Sequence, residues 1–240
     1  MNFAIIAAGE GQRLKSEGID IPKPLVRINN IPMLERLLDI ISRQNPDSIS
    51  IIINEEAKEV YDFLSNHNLR SKINLKVKST ESSLHSLYEL KSFLHGQPFC
   101  LFTTDTIFSE SEFNSFIDFT QKTKDYDGIL GITEFIDDEK PLYVELNKAK
   151  LITHFDDEKN HSSFVTGGIY YFTSALYNEI DEAIKNNYKR LRNFLKLLIE
   201  KKYRLQGFVF SQIIDVDHLE DIKTAEKFLE FERNILQQQR

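Results

Sequence analysis

The stretch Phe3-Ala-Ile-Ile-Ala-Ala-Gly-Glu-Gly-Gln-Arg-Leu14, followed by Ile21-Pro-Lys-Pro24, decides the reading of this chain. The apolar run Phe3 to Ala8 has the length and composition of a buried strand. It enters Gly9-Glu10-Gly11, where the backbone can turn sharply and expose its N–H groups. Arg13 follows at once, and Lys23 arrives after a polar loop. Glycines let backbone amides approach an anion and the two cations neutralise it, so the arrangement suits a phosphate group. The string is neither G-x-x-x-x-G-K-[ST] nor G-x-G-x-x-G, because Leu14 stands where the latter needs its third glycine.

Outward from this stretch, Leu25 to Ile28 reads as a short strand turning at Asn29-Asn30, and Pro32 suits a helix start. Met33, Leu34, Leu37, Leu38 and Ile41 recur at helical spacing to about Gln44, where Asn45-Pro46-Asp47 ends the run. Ser48 to Asn54 is a second buried strand, and Glu55 to about Asn66 a helix. Ile73, Leu75 and Val77 alternate with polar residues as a half-exposed third strand. Ser79-Thr80-Glu81-Ser82-Ser83 then leads into a helix carrying Leu84, Leu87, Leu90 and Leu94. Pro98 to Thr104 is a further buried strand, ending at Asp105, and a helix with Phe113, Phe116 and Phe119 inward runs to about Thr123. Strands alternating with helices predict an α/β fold, a Rossmann-like and mostly parallel central sheet flanked by helices with right-handed crossovers. In such sheets ligand-binding residues gather at the carboxyl ends of strands. The glycine loop and Asp105 both occupy such an end.

From Asp127 the texture changes. Gly128 to Phe135, Tyr143 to Leu146, Leu151 to Phe155 and Phe164 to Phe172 read as strands at short spacing, joined by acidic loops. They predict a smaller mixed or antiparallel section that extends the sheet as a lid over its open edge. Gly168 sits inside the last of these strands, where glycine marks either a bulge or a close backbone approach. Ser174 to Asn186 and Lys189 to Lys202 are helices with a basic run: Lys185, Lys189, Arg190, Arg192, Lys196, Lys201 and Lys202. This run reads either as a solvated face or as a surface for an anionic partner or for a second copy in a homo-oligomer. Leu205 to Phe210 and Gln212 to Val216 are late strands. The second delivers Asp215 and Asp217, two apart and so on the same face, just before a terminal helix from His218 to about Gln238. A frayed tail, Gln237 to Arg240, closes the chain.

Length and composition agree with a soluble enzyme-sized domain. The chain has 240 residues, 41% hydrophobic and 28% charged, enough for one large α/β domain with a sizeable core. A net charge of −7 argues against a nucleic-acid partner. The single cysteine, Cys100, lies in the apolar run Pro98-Phe-Cys-Leu-Phe and reads as core packing. No apolar stretch has the length of a bilayer span and no signal-peptide pattern opens the chain, so it reads as cytoplasmic with no membrane partner.

The string A-A-G-E-G-Q-R-L with P-K-P resembles the sugar-phosphate nucleotidylyltransferases, whose loop reads A-G-x-G-x-R-[LM] followed by P-K-P. Three further segments bear on the likeness. Gly167-Gly168-Ile169-Tyr170 is similar to the family's G-[IV]-Y, and Asp215-Val216-Asp217 with Glu220-Asp221 is similar to its closing acidic segment. Lys159 falls where many members carry Glu-Lys-Pro, without the proline. Ser16-Glu17-Gly18 replaces the family's Pro-Leu-Thr, and His218-Leu219 its Thr-Pro.

The resemblance implies a single glycosyltransferase-A-like nucleotidyltransferase domain over 1–240. Residues 1–125 would bind nucleotide, 126–210 the acceptor, and 211–240 would close the site. Ala7, Ala8, Gly9 and Gly11, with Glu81, Ser82 and Ser83, would contact the nucleotide. Arg13 and Lys23 would stabilise the reacting phosphates, Gly168 and Lys159 would meet the acceptor, and Asp105 with Asp217 or Asp215 would hold Mg2+. The partners implied are a nucleoside triphosphate and a phosphorylated sugar or alcohol. The serine-rich segment Thr80-Glu-Ser-Ser-Leu-His-Ser86 is similar to the choline-phosphate cytidylyltransferase branch, which keeps a phospho-alcohol acceptor open beside a sugar 1-phosphate. A third alternative is a regulatory homologue that binds nucleotide without turnover. Lys23 and Asp105 are expected on a loop and a strand end outside the core, so that their loss would cost activity and little stability.

Overall fold

The apolar run forms β1 (Asn2–Ala7), the strand around which the rest of a computed structural model is laid. That structure describes residues 1–136, 138–159 and 162–238. After β1 come α1 (Gln12–Ser16), the hairpin β2 (Arg27–Ile28) and β3 (Ile31–Pro32), and α2 (Met33–Ser42). Next are β4 (Ser48–Ile53), α3 (Lys58–Ser65), β5 (Ile73–Val77) and α4 (Ser83–Leu94). The middle of the chain forms β6 (Phe99–Thr103), β7 (Thr106–Phe108), α5 (Glu110–Lys122) and β8 (Gly128–Thr133). Then follow β9 (Tyr143–Leu146), β10 (Ile152–Asp156), β11 (Phe164–Phe172), α6 (Tyr177–Lys185) and α7 (Leu191–Glu200). The chain ends with β12 (Leu205–Val209), β13 (Ile213–Asp215) and α8 (Leu219–Gln238). Of the expected frayed tail, Gln239 and Arg240 lie outside the described residues, and α8 runs through Gln238.

Strands β6, β1, β4 and β5 pair in parallel, as the strand–helix alternation requires. Alternation along β1 splits the core between the two faces. Ala4 and Ile6 pack under α4, α6 and α7, while Phe3, Ile5 and Ala7 pack under α2, α3 and α5. The leucine stripe of α4, Leu84, Leu87, Leu90 and Leu94, is at most 1% exposed. Each such side chain contributes about 1.5–3 kcal/mol of burial. A third cluster packs α8 over β7, β13 and the β2–β3 hairpin through Ile107, Ile214, Ile28, Ala225 and Phe228. Among the described residues no helix is long and apolar enough to cross a membrane.

The mixed section is continuous with the sheet by hydrogen bonding: β11 runs antiparallel to β6, β8 antiparallel to β11, and β12 parallel to β8. One edge of β11 pairs with β8 from Val165 to Phe172. Its other edge pairs first with β9, at Phe164 and Val165, and then with β6, from Ile169 to Phe172. The sheet therefore forks at Gly167-Gly168. There the register slips and Gly168 takes φ 71°. The gap between β9 and β6 at this fork is where the second cavity described below opens.

Three elements escape sequence reading. Residues 12–16, read as polar loop, form α1; Lys23–Leu25, read partly as strand, is a 3-10 turn. Strand β7 is three residues long and follows β6 after a two-residue turn, too short to leave a periodic signal.

Candidate active site

The glycine loop earns its glycines unevenly. Gly11 takes φ 62° and caps α1, and a Cβ there would lie 3.0 Å from Lys23 Cβ. A side chain is thus excluded by both conformation and space. Gly9 meets nothing within 4 Å and faces open space. Just after this loop α1 buries Leu14 and leaves Arg13 turned toward the acidic groups.

Strand β7 brings the two acidic segments together. It pairs antiparallel with β13, with Thr106 opposite Asp215, and the Val216 N–H donates to the Asp105 carbonyl at 3.0 Å. Asp105 and Asp217 then converge on Lys23, whose Nζ lies 2.5 Å from Asp105 Oδ2 and 2.6 Å from Asp217 Oδ1. Arg13 Nη1 pairs with the other oxygen of Asp217, and Arg13 Nε lies 4.0 Å from Glu139. Lys23 is 8% exposed. The expectation that it lies outside the core is therefore corrected: the Pro22-Lys23-Pro24 turn buries it between two carboxylates.

The charges shift one another. Burial opposes the Lys23 ammonium, but the charges of Asp105, Asp215 and Asp217 outweigh it and raise its pKa above the usual lysine range. Burial likewise penalises the Asp105 carboxylate, and Lys23 outweighs it, leaving that pKa lowered. Asp215 is the opposite case: burial, then the neighbouring Asp105 charge, push its pKa well up. Its Oδ1 is buried and makes no hydrogen bond.

Sequence reading left Asp215 and Asp217 as alternatives for one ion. Asp217 is the one that joins Asp105 around Lys23; Asp215 lines the second cavity. Asp105 Oδ1 is buried without a hydrogen-bond partner among the described residues, and with Asp217 it presents only hard oxygen donors. Two carboxylates of this kind fit a magnesium ion that keeps phosphate and water ligands. Among the described residues no cluster of three or more His, Cys, Asp or Glu has metal-binding geometry.

Two cavities meet here. The first, about 530 Å³, is bounded by Ala8, Gly9, Gly11 and Arg13 from the loop, and by Lys23, Asp105 and Asp217. Glu81, Ser82 and Ser83 form its far wall. Ala7 is not part of it: its side chain is 1% exposed and packs in the cluster on the opposite face of β1, because alternation turns Ile6 and Ala8 toward the cavity instead. Asn54, at the carboxyl end of β4, also lines this cavity. Its place at a strand end was the available signal.

The second cavity, about 300 Å³, shares Ser83 and Thr103 with the first. Gly167 and Gly168 form its floor at the fork, and Thr106, Thr133 and Thr166 add hydroxyl groups. Asp138 and Asp215 bring carboxylates, and Phe135 and Tyr170 bring aromatic rings. A Cβ on Gly168 would collide with the Thr106 and Thr103 hydroxyls, so the bulge and the close approach are one feature. Lys159 is exposed and lines neither cavity, which corrects its expected place at the acceptor. Without the rigid proline, the loop after β10 does not carry this lysine inward.

The cations at this cavity come from the basic run instead. Arg190 and Arg192 line it. Arg192 is engaged, 3.1 Å from Asp157 and 2.7 Å from the Lys140 carbonyl. The Arg190 guanidinium makes no ion pair or hydrogen bond among the described residues. The rest of the run is largely neutralised within the molecule: Lys196 by Asp157, Lys189 by Glu81, and Lys201 by Glu179 and Glu182.

A family profile described as "Nucleotidyl transferase" matches residues 4–237. The "Bifunctional protein GlmU" of Thermodesulfovibrio yellowstonii is 24% identical over 95% of this chain and 52% of its own length. The chain thus spans about half of that relative. The "D-glycero-alpha-D-manno-heptose 1-phosphate guanylyltransferase" of Campylobacter jejuni is 24% identical over 80% of this chain and 88% of its own. Among solved structures, the inositol-1-phosphate CTP transferase from T. maritima superposes with a TM-score of 0.80 at 17% identity, covering 94% of this chain and 93% of that one. A UDP-glucose pyrophosphorylase complexed with UDP-glucose gives 0.80 at 17% identity, covering 95% and 98%.

Proposed function

Because this chain belongs to the nucleotidyl transferase family, we propose that it joins a nucleoside triphosphate to a sugar or cyclitol 1-phosphate and releases pyrophosphate. The observation that carries the reading is the shared wall. A cation-bearing cavity under a glycine loop opens into a hydroxyl-lined cavity across Ser83 and Thr103.

In this reaction an oxygen of the acceptor phosphate attacks the α-phosphorus. The bond from that phosphorus to the bridging oxygen breaks, and pyrophosphate leaves with the electron pair. The acceptor phosphate is already ionised near neutral pH, so no general base is required. What the chain must supply is positive charge and alignment of two mutually repelling anions. The Gly9–Gly11 backbone would cradle the triphosphate, Arg13 would take up charge on the α-phosphate and the departing pyrophosphate, and Lys23 would contact the reacting phosphates. Asp105 and Asp217 would hold magnesium, which supplies further positive charge to the polyphosphate. On the acceptor side the unpaired Arg190 suits the phosphate. Asp215 and the threonines suit ring hydroxyls, and Gly168 admits the ring close to the backbone.

A second reading has its own support. Asp138, Asp215, Phe135 and Tyr170 in one cavity are groups that also suit a quaternary ammonium, as in phosphocholine. The test is a panel: each common triphosphate with Mg2+, against glucose 1-phosphate, inositol 1-phosphate, a heptose 1-phosphate and phosphocholine, scoring pyrophosphate. Turnover with a polyol phosphate supports the main reading, and turnover with phosphocholine alone replaces it. Nucleotide binding without pyrophosphate from any pair would favour the regulatory alternative.

A further inference from the structure

The wall between the two cavities is stapled in register. Three consecutive residues ahead of and opening α4 meet three consecutive residues ahead of and opening α7. Lys189 Nζ lies 3.2 Å from Glu81, the Arg190 N–H donates to Ser82 Oγ at 3.0 Å, and the Leu191 N–H donates to Ser83 Oγ at 2.9 Å. Ser82 Oγ is itself 2.9 Å from His85 Nδ1, so it is held from both sides. Glu81, Ser82 and Ser83 face the first cavity; Arg190 and Leu191 face the second.

At the centre of the staple Arg190 has φ 65° and ψ 143°. That backbone region is close to one that only glycine occupies readily, and an arginine stays there only when its surroundings impose it. The groups that impose it are visible: its own N–H is fixed by Ser82, and the next N–H by Ser83. Nothing else holds the side chain, since the guanidinium has no partner among the described residues. The place from which the Arg190 side chain leaves the chain is therefore set by its backbone.

We infer that Ser82 and Ser83 are positioning residues for Arg190, fixing from the nucleotide side the cation that meets the acceptor phosphate. This rests on the function proposed above, and it goes further. Two serines on the nucleotide wall act chiefly on the acceptor, through hydrogen bonds whose acceptor oxygens are already taken up by the backbone of residues 190 and 191.

The experiment has a structural and a kinetic arm. Crystal structures of the wild type and of Ser82→Ala/Ser83→Ala report the Arg190 φ directly, whatever the acceptor is. The wild type should keep the positive value, and the variant should relax to a negative φ. A positive φ retained in the variant would overturn the inference. In the kinetic arm, glucose 1-phosphate and inositol 1-phosphate serve as acceptor probes. The serine double variant should raise the acceptor KM about tenfold, the effect of roughly one lost charge-positioning hydrogen bond. In an Arg190→Ala background the same two substitutions should add no further rise, because the group they position is gone. A full additive effect in that background would mean that the serines act elsewhere and would also overturn it. If Arg190→Ala alone leaves the acceptor KM unchanged, the assignment of Arg190 to the acceptor fails. The crystallographic arm still decides whether the serines impose its backbone. Circular dichroism of every variant guards against misfolding.

Discussion

Replacing Lys23 by methionine keeps most of the buried stem and removes only the ammonium that Asp105 and Asp217 share. Among the described residues Lys23 is the only cation paired with Asp105, whereas Asp217 keeps Arg13. Breaking a buried pair by deleting one partner costs about 3–5 kcal/mol, because the other charge is left uncompensated. Asp217 is 25% exposed and retains a partner, so the low end, about 3 kcal/mol, applies. For a chain of this size that is a fall in Tm of about 6–12 °C.

The pH dependence gives a second, independent sign. In the wild type the Asp105 pKa is lowered below its ordinary 3.8. Its contribution to stability is then present above that value and is lost as pH falls through the folded-state pKa. Without Lys23, burial is opposed only by the smaller effects of hydrogen bonds from Thr103 and from the Asp105 backbone, and the pKa rises. The folded variant then takes up a proton more readily than the unfolded chain and gains stability as pH falls. Thermal unfolding followed by circular dichroism should show the variant's deficit largest near pH 7 and shrinking toward pH 4.5. A variant melting within about 2 °C of wild type at pH 7, or a deficit constant across pH, would refute the charge arrangement.

Gly168→Ala should lose acceptor turnover and melt lower by the equivalent of about 1–3 kcal/mol, since its φ of 71° suits glycine and a methyl meets the Thr103 and Thr106 hydroxyls; acceptor KM and Tm check both. Glu179 is lowered below its ordinary 4.5, burial being outweighed by Lys201 and Tyr203, so its contribution is lost as pH falls through its folded pKa. Glu179→Gln should therefore flatten the loss of Tm below about pH 4.5 relative to wild type. Nucleotide affinity measured by calorimetry should fall at least about tenfold when EDTA replaces Mg2+, and Asp105→Asn should abolish most of that difference.

The parallel half of the sheet was legible because its signals are local. Ile49, Ile51 and Ile53 fall on one face by strand alternation, and the leucines of α4 fall on one face by helical spacing. The glycine loop, Lys23 and Asp105 were legible for a related reason: each sits at a strand end or in a turn that interrupts a periodic run, and Arg13 follows the loop at once. The pairing of β7 with β13 was not. It joins residues about a hundred positions apart through three residues each, and no periodicity marks a three-residue strand. Asp215 and Asp217 thus stayed equivalent in sequence, although β13 ends at Asp215 and Asp217 lies beyond it. The Ala7 side chain shows the opposite property. A motif names neighbours, while strand alternation sends neighbours to opposite faces. Arg190 was in view as part of a basic run, yet its separation from the other cations depends on which of them find carboxylates, a purely tertiary fact.

Charge balance links these local facts to the proposed chemistry. In the structure, both cations meant for phosphate are already committed to carboxylates: Lys23 to Asp105 and Asp217, Arg13 to Asp217. A triphosphate entering alone would have to draw them away, leaving the half-buried Asp105 bare beside an anionic ligand, and both effects are unfavourable. Asp105 and Asp217 would hold a divalent cation arriving with the polyphosphate in place of these partners, and Lys23 and Arg13 would then be free to meet the phosphates. The same exchange explains how a buried lysine can be a working group. Its ammonium occupies the place between two acids in the ligand-free fold, and it would become available only when a replacement charge is delivered. On this reasoning the acidic pair would serve as much to store the lysine as to hold a metal, and both roles would need the approach of Asp105 to Asp217 that β7 and β13 create.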